Sequence, residues 1–203
     1  MSESESDTSK ILSFLKVARH MQTTYRFTPK PDGGFENDAE HSWSVALTCM
    51  LVATRIEEEL GVKIDQLKML RMTIVHDLAE IITGDTKTWD DLARVDKEKK
   101  ERMAVNDLFD KLPNDLAEDL LSLWEECEKR ESIEAMIVKS VDRFDPVIHR
   151  TVFNLGWDNV EDEHATSVTL DSRQLPRHAF SKVLTSIYTQ VRDEAISKKM
   201  FRG

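Results

Sequence analysis

With 203 residues, 40% apolar and 33% charged side chains and a formal net charge of −10, the chain is long enough for one domain with a substantial core. Its composition is that of an ordered protein rather than a disordered one. The negative balance argues against non-specific binding to nucleic acid or acidic membranes, and two cysteines make no disulfide framework.

In chain order, residues 1–9 are acidic and polar, the reverse of a signal peptide, and read as a disordered tail. Residues 10–200 read as one domain. Ile11, Leu12, Phe14, Leu15, Ala18 and Met21 form an amphipathic stripe that ends near Thr23. A polar loop containing PKPDGGFEND follows. Asn37 or Asp38 is suited to cap a second helix, which runs to about Leu60 and stops at Gly61. The apolar run at 43–53 is too short to cross a bilayer, so a cytoplasmic protein with no membrane partner is expected.

Asp65 opens a third helix, expected to end near Gly84. A fourth, over 89–112, carries the charge run DKEKKER, expected to be a solvated face. Pro113 breaks it, and Asn114 opens a fifth helix through Trp124. A sixth spans 132–152, with Pro146 kinking or interrupting it. The stretch 154–173 reads as irregular, with SVTL at 167–170 the only strand-like run. The last helix, 176–199, repeats Phe180, Val183, Leu184, Ile187 and Val191 at helical spacing. The expected class is all-α.

The third helix poses a problem of charge. On a wheel at 100° per residue, residues 67–82 scatter apolar side chains around the whole circumference, as in a buried helix. His76, Asp77 and Glu80 nevertheless share one sector, and burying them unpaired costs several kcal/mol each. A cation is therefore expected. Arginine can supply it through a buried ion-pair network; a divalent metal can be reached jointly by the adjacent His and Asp. His41, opening the second helix, and Asp142, within IVKSVDRF, would complete a metal set drawn from three helices. Singly, each has a blander reading, His41 as a packing residue and Asp142 as a solvated acid. His20, His149, His164 and His178 read as surface or packing histidines.

The ordered pieces AEHSWSVA (39–46), HDLAEIITGD (76–85) and VKSVDRF (138–144), with TTYRF (23–27) before them, resemble the HD-domain metal-dependent phosphohydrolases. The match is nearest to their 5'-deoxynucleotidase branch and covers about residues 10–150. The resemblance implies an HD-type helical bundle and one divalent ion (Mn, Co, Mg, Zn, Fe or Ni) on His41, His76, Asp77 and Asp142. It also implies Glu80 orienting or activating the attacking water, and Asp85 as a second acidic residue tied to the sugar 3'-hydroxyl. Arg26 would contact the phosphate, and Phe27 would lie against the deoxyribose. The implied substrate is a small nucleotide, a deoxyribonucleoside 5'-monophosphate, and the implied assembly a homodimer. The segment between Arg26 and His41 is slightly longer than in the family's compact version, and past about residue 151 the resemblance assigns no residue. The alternatives are a (deoxy)nucleoside triphosphate hydrolase or another small-molecule phosphohydrolase and, outside enzymes, a metal- or nucleotide-binding module.

Overall fold

The computed structural model describes residues 5–86, 95–155, 157 and 166–201. Short-range signals set many of the element boundaries. Helix α1 (Asp7–Ala18) begins where the Ser6 hydroxyl accepts from the Ser9 N–H, so it starts inside the stretch expected as a tail. It tightens into a 3-10 turn over Arg19–Gln22.

The expected polar loop contains a hairpin instead. Strands β1 (Tyr25–Pro29) and β2 (Phe35–Asn37) pair antiparallel, with Tyr25 opposite Asn37 and Pro29 opposite Phe35 across an irregular register. The Lys30 N–H donates to the Gly34 carbonyl at 2.8 Å, and Asp32 accepts from the Gly34 N–H at 3.0 Å. Gly33 adopts φ 86°, a conformation that costs glycine little. Pro-Asp-Gly-Gly is thus a turn, and strands this short offer too little alternation to stand out.

Helix α2 (Asp38–Leu60) opens with a capping box: Asn37 accepts from the Glu40 N–H at 2.9 Å, and Glu40 accepts from the Asn37 N–H at 3.0 Å. Gly61, at φ 66°, ends it. The expected third helix is two pieces, α3 (Gln66–Val75) and α4 (Glu80–Thr83), joined by a tight turn. In that turn the Glu80 N–H donates to the Asp77 carbonyl at 2.9 Å rather than to His76. The His76 carbonyl accepts from the Trp124 indole at 3.2 Å instead. The apolar circumference is not all buried either: Leu67 is 71% and Ile74 64% exposed.

Helices α5 (Lys97–Phe109), α6 (Asn114–Lys129) and α7 (Ile133–Phe153) follow. The first residues expected in the fourth helix, 89–94, lie outside the described residues. Helix α7 runs through Pro146 without interruption, although proline has no N–H to give the Asp142 carbonyl four residues back. The strand-like SVTL is the first turn of α8 (Ser167–His178), because Thr166 and Thr169 form a capping box. The last expected helix is likewise split, with α9 (Lys182–Ser197) starting anew at the Ser181 cap.

Helix α7 is the hub. It packs against α2, α3, α6, α8, α9 and β1 and buries Ile137, Val138, Val141 and Phe144 on one face. With Ile56, Met69, Met72, Leu108, Trp124 and Tyr188 these form one core. The all-α, single-domain expectation stands, with the hairpin added. Cys49 and Cys127 are buried and free. Among the described residues, no helix is long and apolar enough to cross a membrane.

Candidate metal centre

Three pieces of backbone bring charge to one point beside this core. The capped first turn of α2 presents Asp38 and His41, the turn between α3 and α4 presents His76 and Asp77, and the middle of α7 presents Asp142 and Asp145. Ligand atoms of His41, His76, Asp77 and Asp142 all lie within 4.8 Å of one another. His41 Nε2 is 3.1 Å from Asp142 Oδ1 and 3.8 Å from Asp77 Oδ2, and His76 Nε2 is 3.2 Å from Asp77 Oδ2. An ion about 2.1 Å from each ligand separates neighbouring ligands by ~3.0–3.4 Å and opposed ones by ~4.2 Å. The cluster has that size.

His76 supplies the test of fit. Its Nδ1 donates to the Thr73 carbonyl at 2.9 Å, so in the neutral ring the lone pair sits on Nε2. That nitrogen is buried and has no hydrogen-bond partner. A lone pair aimed at carboxylate oxygens is unfavourable unless a cation lies between them, and the mixed imidazole and carboxylate donors suit Mn, Fe, Co, Ni or Zn. The residues fit a divalent metal.

An arginine is present as well, as the rival sequence reading required. The Arg26 guanidinium on β1 lies 2.8 Å from Asp77 Oδ2, 3.4 Å from Asp38 and 3.8 Å from Glu80. It makes no hydrogen bond to His76 Nε2, which leaves that nitrogen open to an ion. The local potential follows from these neighbours. Burial and Arg26 would lower the His41 pKa, but its hydrogen bonds to Asp142 and Asp145 outweigh them and raise it to about 10. Burial also opposes ionisation of Asp142, yet the His41 hydrogen bond and Lys139 hold it well below the usual carboxylate range. Burial and the Asp77 charge push Asp38 up to about 7 and Glu80 well above its ordinary value.

Glu80 heads α4 with one oxygen held by Lys97 at 3.1 Å, while the buried Oε2 has no hydrogen-bond partner. Asp38, Asp77 and Glu80 each bring an oxygen within 4.8 Å of the others. Asp85 accepts the Phe27 backbone N–H at 3.2 Å, and the Phe27 ring stays half-exposed. All eight expected site residues therefore lie on or beside one cluster. Asp38, Lys97 and Asp145 are additions. Lys97, bonded to Glu80 and 3.0 Å from Glu101, belongs to the run expected as a solvated face. Its only sequence signal is an i,i+4 lysine–glutamate pair, which usually marks surface. Asp145 carried a faint signal, three residues after Asp142 and so on nearly the same helix face.

An HD-domain family model matches residues 18–182. The 5'-deoxynucleotidase HDDC2 of Xenopus laevis is 30% identical over 144 residues, covering 68% of this chain and 66% of that protein. That of Bos taurus is 30% identical over 149 residues, 70% of this chain and 67% of its own. The chain thus spans about two thirds of the length of these relatives. A crystal structure from Magnetospirillum magnetotacticum MS-1, described as a predicted metal-dependent phosphohydrolase, matches with a TM-score of 0.82 at 33% identity. That match covers 98% of this chain and 100% of the other.

Proposed function

The chain belongs to the HD-domain family, and on that premise we propose that it is a metal-dependent phosphohydrolase converting deoxyribonucleoside 5'-monophosphates to deoxynucleoside and phosphate. The observation that carries this reading is the ordered set His41, His76, Asp77 and Asp142 within 4.8 Å, beside Glu80 Oε2, which has no hydrogen-bond partner. A bound divalent ion supplies neutralisation of phosphoryl charge and acidifies water. His41, His76, Asp77 and Asp142 would hold it.

The chain's own groups divide the remaining work. Glu80 orients the attacking water and accepts its proton through Oε2, the oxygen that Lys97 leaves unengaged. Arg26, already among the carboxylates, turns its fork to the phosphate oxygens once substrate arrives. Phe27 packs against the deoxyribose and Asp85 takes the 3'-hydroxyl. The hydrogen bond between these two makes the sugar contacts a linked pair. A cytoplasmic homodimer is the proposed setting. The supporting feature is an exposed apolar stripe on α2, Trp43, Leu47, Met50 and Leu51, spaced to share one face. Light scattering reads the assembly directly.

The test offers metal-reconstituted protein a panel of nucleotides with Mg, Mn, Co or Zn. Deoxyribonucleoside 5'-monophosphates are expected to release inorganic phosphate. Glu80→Gln is expected to lower kcat by about 10²–10⁴ with metal content unchanged. Monophosphates left intact overturn the substrate assignment, and triphosphate released from nucleoside triphosphates identifies the alternative enzyme.

A further inference from the structure

Two imidazoles face the candidate metal position, and each has its Nδ1 committed elsewhere. His76 Nδ1 is 2.9 Å from the Thr73 carbonyl, and His41 Nδ1 is 2.9 Å from Asp145 Oδ2. We propose that Asp145 is a positioning residue that keeps a proton on His41 Nδ1 and so presents the Nε2 lone pair to the ion. The inference deepens the metal-dependent reading and rests on it.

The argument is one of donors and acceptors. An ionised carboxylate only accepts, so the nitrogen facing Asp145 must carry hydrogen. Nε2, which faces Asp142 at 3.1 Å, is then the nitrogen turned towards the candidate ion position. His41 is 0% and Asp145 4% exposed, so bulk water cannot readily stand in for a lost carboxylate. Helix α7 supplies both partners of the ring, Asp142 at Nε2 and Asp145 at Nδ1, so one rigid element fixes its plane. Glu36 also lies within 4.8 Å of His41 and Asp145. Its ion pair, however, is with His149 at 3.4 Å, and it makes no hydrogen bond to His41 Nδ1. A histidine ligand released from such a carboxylate loses its fixed tautomer and orientation, which weakens metal affinity by about 10- to 100-fold.

The experiment uses the full-length protein, stripped with chelator and titrated calorimetrically with Mn²⁺. Asp145→Ala is expected to bind Mn²⁺ about 10- to 100-fold more weakly than wild type. The second readout is the imidazole ¹H–¹⁵N spectrum of Zn²⁺-saturated protein. Wild type is expected to show a slowly exchanging His41 Nδ1 proton that Asp145→Ala loses. The His76 Nδ1 proton, bonded to Thr73, persists in both and reports that the fold is intact. If Asp145→Ala does not fold, Asp145→Leu, which fills similar space and offers no acceptor, carries the same two readouts. Unchanged Mn²⁺ affinity, or an unaltered His41 Nδ1 proton in the folded variant, overturns the inference. A wild-type protein that binds no Mn²⁺ is a different failure, because it removes the ligand set itself.

Discussion

Asp77 Oδ2 serves several neighbours at once: Arg26 at 2.8 Å, His76 Nε2 at 3.2 Å and His41 Nε2 at 3.8 Å. An ion drawn to that oxygen competes with the guanidinium, and binding should loosen Arg26 for the phosphate. Asp77→Ala removes the shared oxygen. Metal analysis of the purified variant is expected to read background, against near-stoichiometric metal in wild type, and full retention would count against Asp77 as a ligand. The candidate set was legible at this scale because imidazoles and carboxylates among apolar neighbours are costly to bury. Lys97 and Asp38 were not legible. A lysine in a charge run and an acid in the first turn of a helix are both ordinary solvent-facing residues, and only tertiary packing turns them inward.

Among the elements, the turn at 76–79 matters most. A continuous helix would hand the His76 carbonyl to the Glu80 N–H, but Trp124 takes it instead, and the backbone steps out of register between Asp77 and Glu80. No periodicity argument exposes this, because the partner is 48 residues away. The same limit explains SVTL, whose β-branched residues suggest a strand until Thr166 caps them as a helix. Asn37 and Gly61, by contrast, were readable because capping is local.

The junction of α8 and α9 yields a pH prediction. His178 hydrogen-bonds to Gln174 at 3.1 Å and packs edge-on against Phe144. Burial, reinforced by Arg143 and Arg130, lowers its pKa from 6.5 to about 4. Between those values the unfolded chain binds more protons, so stability falls as pH drops from about 6.5 towards 4. Urea unfolding is expected to show wild type losing on the order of 2 kcal/mol relative to His178→Gln over that range. Parallel pH curves for the two proteins would contradict the assignment.

For the whole molecule, the centre joins α2, the α3–α4 turn and α7 across a single core. A ligand that binds only when these come together stabilises the folded state by RT ln(1 + [L]/Kd), about 2.7 kcal/mol at a hundredfold excess over Kd. Calorimetric melting with Mn²⁺ is expected to exceed melting in EDTA by about 5–10 °C. A Tm indifferent to metal would mean that the ligands do not meet in the native state.

Helix α7 also grips the hairpin: Arg150 donates to the Phe27 carbonyl at 3.1 Å, and His149 donates to the Pro29 carbonyl at 2.9 Å. One rod thus serves as the datum for both the cation cradle, through Asp142, and the arm that carries Arg26. The span between them is gauged along a shared helix, and the Pro-Asp-Gly-Gly tip lies beyond the gauge points. Lengthening or shortening that tip is expected to leave the spacing of Arg26 and Asp142 unchanged, because the bonds that set it lie on the α7 side of the tip.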